Sequence, residues 1–443
     1  METGQVRTLR TCDGYRGIWY DMQRFGDLYK YSGGLGTYPQ QIHPLAHYAP
    51  EVNRTFFVYG GTVKNRRQIL EMISYYDHDT GRVPRPRILM NKHTGDAHDN
   101  PSMTLDDAGH IWVFASAHAR LRSAYVYRSV KPYDIDRFEL VLHRNLSYCQ
   151  TWFVPGSGFL LLHTLYRGRK RFLYWRTSGD GRRWGRLRSM AKVSNGHYQV
   201  SWQQGGKIAT AFNAHPASGL DARTNLYYLE TTDFGETWRT AAGRRMKLPV
   251  TTYDSPALVH DYRAEGLRVY LKNVRFDARG RPVLMFLTAS TAHPGPTDVP
   301  RTWRTARWTG SRWDIRPITT SDNNYDYGSL YIEPDGTWRL IGPTEDGPQR
   351  WSTGGEIALW LSGNRGKTWR KVRQLTRNSP YNHTYVRRPV NAHPDFYAFW
   401  ADGDALKPSE SRLYFTNRAG THVCRLPTAM QSRFARPSVV SSR

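Results

Sequence analysis

The sequence predicts an all-β fold, a seven-bladed β-propeller with four-stranded antiparallel blades. Three observations predict it: a hairpin unit that recurs along the chain, copies of an Asp-box turn motif, and a composition rich in aromatic and turn-forming residues. The unit is an apolar strand, a Gly/Asp turn and another apolar strand. It occurs at Val52–Tyr59 and then around Gly109, Pro155–Gly158, Gly205–Gly206, Asp277–Gly280, Pro334–Gly336 and Pro394–Asp395. Seven units roughly 50–75 residues apart match the spacing of propeller blades. Seven blades use the 443 residues at about 63 each.

The Asp-box motif reads [ST]-x-D-x-G-x-T-W. Thr231–Trp238 matches it in full, Ser362–Trp369 carries Asn in place of Asp, and Ser178–Trp184 is one residue short. In this motif the acid and the Gly shape the turn between the outer two strands of a blade, and the Trp packs between blades. It is a device of the rim and lies outside any active site. The third observation is compositional: 15 Trp, 28 Tyr and 16 Phe accompany 38 Gly and 25 Pro, the mixture of short aromatic strands and tight turns.

Taken in order, Gly14–Tyr20 reads as a strand that closes the ring against Arg412–Phe415. Asn65–Tyr75 is the one stretch with helical periodicity. Residues 1–427 form one catalytic propeller domain. The Ser/Arg/Pro-rich tail, 428–443, reads as disordered.

Composition excludes several classes. No run approaches the ~18 apolar residues of a membrane span. Cys12, Cys149 and Cys424 are too few for a disulfide framework and too far apart for a zinc ribbon. The net charge of +26 favours a polyanionic partner. Its Lys and Arg are spread along the whole chain, and no nucleic-acid-binding signature accompanies them, so an acidic polysaccharide fits equally well as a partner. A monomer is expected.

The best site lies in Gly95–His118. Two alternating strands, Ser102–Leu105 and Ile111–Ala115, flank the turn Asp106–Gly109. His98 and His118 stand at equal distances from that turn, so a hairpin brings them together at one end of the sheet. Asp96, Asp99 and Asn100 crowd the same end and could orient the rings or bind a cation. Corresponding loops of other units carry Tyr148/Gln150, Tyr198/Gln199, Tyr253/Asp254, Asn324/Tyr325 and Tyr385/Arg387, which converge on the central depression of a propeller.

Histidines, tyrosines and arginines without a pair of carboxylates argue against an ordinary glycosidase. They suit β-elimination on a uronic acid, which needs a cation on the carboxylate, a base near neutral pH and an acid for the leaving oxygen. Arg167 is the expected cation, His98 and His118 carry the protons, and Tyr148, Tyr166 and Tyr198 serve as acid or positioning groups.

Five runs carry a resemblance: GYRGIWY (Gly14–Tyr20), KYSGGLGTYP (Lys30–Pro39), TFFVYGGT (Thr55–Thr62), SYYDHDTGRVPRP (Ser74–Pro86) and DAHDNP (Asp96–Pro101). They resemble the propeller enzymes that act on L-rhamnose-α-1,4-D-glucuronate, the cap of gum arabic and arabinogalactan side chains. The resemblance is dense over residues 13–140 and continues as a blade pattern to about 425.

It implies one of two activities on one linkage: a lyase that eliminates rhamnose, or an α-L-rhamnosidase that relies on a single histidine. That histidine falls within Tyr38–Pro44, at His43, with Gln41 and Ile42 as the alternative registers. The spacing of His98 and His118 is also similar to the base and acid histidines of propeller uronate lyases, including those acting on ulvan. The substrate-binding set then comprises Gln41, His43, Asn100, Tyr166, Tyr198, Tyr253 and Arg387. No compact metal motif is present and no cofactor is required; the resemblance allows a cation, calcium by ligand hardness, in the central channel. A non-catalytic carbohydrate-binding propeller is the reading from another class. The substrate implies a secreted or periplasmic protein, with no signal peptide visible at Met1–Val6.

Overall fold

The computed structural model describes residues 2–18, 24–25, 29–30, 35–62, 68–120, 122–219, 221–296 and 300–442. Seven antiparallel sheets follow one another along the chain as the blades of a propeller. Blade I uses Ala46–Ala49, Arg54–Gly61, Leu70–Asp77 and Arg87–Asn91. Blades II to VII begin at Pro101–Leu105, Ser147–Val154, Gln199–Gln204, Arg268–Phe276, Ser329–Ile332 and Asn382–Arg387. The six turns read from sequence, from Gly109 to Pro394–Asp395, are the connections between the first two strands of blades II to VII, and Val52–Tyr59 falls mostly on the second strand of blade I.

The first strand of each blade lies innermost, and neighbouring first strands are tied by side chains. Gln150 Nε2 donates to the Gln199 carbonyl (3.0 Å), Arg275 Nε to Leu330 (2.8 Å) and Ser329 Oγ to Val386 (2.7 Å). Being covered on both faces, these strands lack polar alternation; Pro101–Leu105 is buried throughout.

The Asp boxes sit between third and fourth strands, on the rim. In Thr231–Trp238, Thr231 Oγ1 accepts the Gly235 N–H (2.9 Å) and Asp233 accepts the Thr237 N–H (2.9 Å). Trp238 packs edge-to-face on Trp175 of the preceding blade, with ring centroids 5.6 Å apart, and the Trp175 indole donates to the Gly235 carbonyl. Gly235 has φ +85°, and a Cβ there would lie 2.9 Å from the Trp175 Nε1, so both backbone and space require glycine.

Four expectations are corrected. Blades IV, III, V and VI have four strands, but I, II and VII have five: Arg10–Thr11 pairs with Arg87–Ile88, Val6–Thr8 pairs with Arg137–Glu139, and Ser438–Ser442 lies on His422–Arg425. The tail expected to be disordered therefore carries two strands, Ser438–Ser442 and Phe434–Ala435, the latter pairing with Val83–Pro84 of blade I. Its anchor is chemical: the Arg85 guanidinium donates to the carbonyls of Met430, Gln431 and Ser432, and Met430 is buried.

Leu70–Asp77, read as part of a helix, is a strand; its apolar run reflects burial on both faces, which the helical period mimics over so short a stretch. Residues 65–67 of that reading lie outside the described residues. Gly14–Tyr20 is not a closing strand. Its described part donates Tyr15 N–H to the Pro427 carbonyl and Gly17 N–H to Ser411, and bridges Gly61 of blade I. Residues 19–20 lie outside the described residues. Blades I and VII meet also through Val390, which exchanges backbone hydrogen bonds with Ala46 and Tyr48.

Ending the chain at Pro427 should lower the unfolding free energy by about 2 kcal/mol or more, the worth of one buried Met side chain. Urea unfolding checks this, and an unchanged midpoint would show that the tail strands add nothing.

Candidate active site

The blade II hairpin pairs Pro101–Leu105 with Ile111–Ala115, Pro101 opposite Ala115. The same register extended three residues further sets His98 opposite His118. Their rings stack with centroids 4.1 Å apart and planes 19° from parallel.

Asp96 holds both. It caps the short turn Ala97–Asp99 by accepting the His98 N–H at 3.1 Å. Its two oxygens also take His98 Nδ1 at 2.5 Å and His118 Nδ1 at 2.7 Å. An ionised carboxylate only accepts, so both Nδ1 atoms carry a proton, and in the neutral rings both Nε2 atoms present lone pairs. Burial opposes ionisation of Asp96, but the hydrogen bonds from His118 and His98 outweigh it and hold the carboxyl well below the usual carboxylate range. Arg122 donates to Asp96 (2.7 Å) and forks onto Asp99 (2.7 and 2.9 Å), and the Lys92 ammonium lies 3.5 Å from Asp99. Both nearby carboxylates are thus committed to cations or imidazoles.

Tyr38 reaches the pair from the segment before blade I, its hydroxyl hydrogen-bonded to His98 Nε2. That segment is pinned from behind. Asn100 Nδ2 donates to the Leu35 and Tyr38 carbonyls (2.8 and 2.7 Å), and Arg387 donates to those of Thr37 and Pro39. Gly60 makes room for this contact: a Cβ there would lie 1.8 Å from Asn100 Oδ1.

Blade III supplies the phenols and the cation. Its first strand bulges between Ser147 and Gln150, and Tyr148 adopts φ +56° there, a departure for a non-glycine residue that re-aims one side chain. The Tyr148 hydroxyl lies 3.3 Å from that of Tyr166. Tyr166 stands opposite Arg171 across the next hairpin, on the same face, and Arg171 Nε donates to its hydroxyl at 3.1 Å. The Tyr166 ring lies 5.9 Å from His118, and Tyr198 of blade IV packs edge-on against Tyr148. Burial raises the pKa of both Tyr148 and Tyr166, so both stay protonated at neutral pH.

The expected residues divide accordingly. His98, His118, Tyr148, Tyr166 and Tyr198 come together. Asn100 and Arg387 lie behind them and brace the Tyr38 segment. Gln41 is buried in that segment. His43 is buried too, its Nε2 3.5 Å from the Tyr327 hydroxyl; burial, then the charges of Arg387 and Arg275, lowers its pKa well below the ordinary value. A file of rings, Tyr327, Tyr385 and Tyr38, separates it from His98.

Arg167 is not at the site. It is exposed, because it follows Tyr166 in the strand and so faces the other way. Tyr253 is also elsewhere, against Tyr227 and Arg263 on the outer part of blade IV. The long connection before Leu258–His260 displaces the blade pattern there, and Tyr270 is the tyrosine on the first strand of blade V.

Sequence reasoning missed Arg171, Tyr38 and Arg122. The first was within reach: a two-residue turn at Gly168–Arg169 sets Tyr166 opposite Arg171. Asp96, His98 and His118 could also hold a metal ion, their ligand atoms lying within 4.8 Å of one another; this imidazole-rich set suits zinc rather than calcium.

Asp96→Asn should destabilise the protein at neutral pH. A depressed carboxyl contributes stability that is complete above its unfolded value, near 3.8, and declines as the pH falls below it. The gap between wild type and variant should therefore narrow as the pH falls below about 4. Urea titrations between about pH 5 and 2 check it, and a gap that widens below about pH 4 would contradict the assignment.

A family model described as BNR repeat-containing family member matches residues 64–321. The ulvan lyase PL25 of Pseudoalteromonas sp. (strain PLSV) is 23% identical over 286 residues, 54% of this chain and 58% of that protein. The match thus spans less than two thirds of that relative. The ulvan lyase of Nonlabens ulvanivorans is 21% identical over 402 residues, 80% of this chain and 81% of that protein. Among solved structures, a PL25 ulvan lyase superposes with a TM-score of 0.70 at 17% identity, covering 92% of this chain and 96% of that one. The polysaccharide lyase Uly1 gives 0.64 at 12% identity, covering 94% and 100%. The superpositions establish the propeller fold, and with more than half its length inside the family match, the chain belongs to the BNR repeat-containing family.

Proposed function

We propose that this protein is a polysaccharide lyase that cleaves an acidic glycan by β-elimination beside a uronate, with the L-rhamnose-α-1,4-D-glucuronate bond as its target. One observation carries the reading: two stacked imidazoles share a single carboxylate while Arg171 and a pair of protonated phenols stand across from them. Among the described residues the site lacks two free carboxylates, which a glycosidase of the usual kind requires.

In this reading Arg171 pairs with the uronate carboxylate and makes the C5 proton acidic. His118, the more exposed of the two rings, takes that proton on Nε2 while Asp96 holds its Nδ1–H. His98 is the positioning partner, its Nε2 engaged by Tyr38. The C4–O4 bond breaks, a C4=C5 double bond forms, and Tyr166 gives its proton to the departing oxygen. The imidazolium then returns its proton to solvent, the phenol is reprotonated, and no water is consumed.

The relatives support the class. Both are named ulvan lyases, and one PL25 structure was solved bound to -[GlcA(1-4)Rha3S]-. Glucuronate next to rhamnose is common to that ligand and to the linkage proposed here. Ulvan is therefore the second substrate to try. The hydrolase alternative, centred on His43, is disfavoured by the burial of that ring.

The test is an ultraviolet absorbance time course on gum arabic and on ulvan, with rhamnose release followed in parallel. The expected result is rising absorbance from a conjugated uronate. Rhamnose release without absorbance would contradict the proposal. His118→Ala should lose about 10²–10⁴-fold in turnover, and Arg171→Ala about 10²–10³-fold. Arg167→Ala should stay near wild type; a large loss there with none in Arg171→Ala would overturn the assignment of the cation.

A further inference from the structure

We propose a zinc-binding site at the seam where the last blade meets the first, formed by His78, His393 and Asp395. It is remote from the roles given to the glycan site and does not depend on them. His78 follows the third strand of blade I, Leu70–Asp77, and His393 and Asp395 lie in the turn between the first two strands of blade VII. The two imidazoles touch, with ring centroids 3.7 Å apart. The Asp395 carboxylate lies 3.9 Å from His393 Nδ1. One ligand atom from each of the three residues falls within 4.8 Å of the others. A tetrahedral zinc with bonds of about 2.0–2.1 Å spaces its ligands by roughly 3.3 Å, so small side-chain rotations close the set.

The surroundings have the features of a ligand site rather than of simple packing. His78 Nε2 is 2.9 Å from Thr55 Oγ1, and a metal on the other nitrogen fixes Nε2–H as the donor there, the outer-shell bond that orients a ligating histidine. That other nitrogen, Nδ1, is buried and makes no hydrogen bond. Two contacting imidazoles gain little from each other as rings, and one has left a lone pair unsatisfied, which ordinary packing avoids. His393 Nδ1 accepts the Asp395 N–H at 3.1 Å, a bond that coordination replaces. Tyr48 and Tyr76 wall the rings, and the Asp395 side chain is 69% exposed, leaving an approach from solvent for the ion and for a water as fourth ligand.

Two nitrogens and one carboxylate favour zinc among the available divalent ions and disfavour calcium. The ligands come from the first and last blades, far apart in the chain, so the ion would clamp the ring closed at the joint made by Val390 with Ala46 and Tyr48.

The test uses the His98→Ala protein, which lacks the other histidine–carboxylate triad, and titrates it with zinc by calorimetry while following its thermal midpoint. One equivalent should bind and raise the midpoint. Adding His78→Ala or Asp395→Asn should each weaken binding at least about tenfold and cancel the rise. Asp395 is exposed, so its variant keeps the fold even if the His78 variant does not. Absence of zinc binding by the His98→Ala protein, or parental affinity in the Asp395→Asn variant, would overturn the proposal.

Discussion

One carboxylate with two imidazoles on it sets the geometry of this molecule's centre. Asp96 accepts His98 Nδ1–H and His118 Nδ1–H on separate oxygens, so both rings are fixed in position and tautomer by a single group. Such sharing needs the two histidines face to face at hairpin spacing, which the blade II register provides. It also needs Asp96 to remain charged while largely buried, and Arg122 with the two rings supplies that. A propeller is suited to this arrangement, because inner strands covered on both sides have little freedom to shift register.

The remaining groups reach the pair by three different routes. Tyr38 comes from a segment that Asn100 and Arg387 hold by its carbonyls, so residues that look like ligands for substrate are braces for a residue that touches His98. Tyr148 arrives through a bulge with a left-handed backbone, and Tyr385 of blade VII repeats that device with φ +53° between Thr384 and Arg387. Arg171 arrives through strand pairing alone. Each route brings a polar group to the histidine pair or to the tyrosines beside it while leaving the blade behind it intact.

What could be read from the sequence was local. The hairpin symmetry of His98 and His118, the Asp boxes and six of the repeated turns depend on neighbours close in the chain, and these are found in the structure as read. What could not be read depended on distant partners or on parity. The tail looked unstructured because its composition is polar; Arg85, far away in sequence, supplies the partner for its carbonyls. Tyr38 gave no sign of reaching His98, sixty residues on. Arg167 and Arg171 differ by which face of a strand they occupy, and only counting through the two-residue turn separates them. Tyr253 was assigned by a periodic pattern that a long connection in blade IV interrupts.

In the proposed mechanism the Asp96-clamped histidines and Arg171 remove a proton from carbon rather than activate water. The most direct measurement is mass spectrometry of the uronate product released from a rhamnosyl-glucuronate oligosaccharide. Elimination predicts a uronate lighter by one water than the saturated sugar acid, formed in step with free rhamnose. A saturated uronate would contradict the claim and transfer the chemistry to a hydrolytic centre.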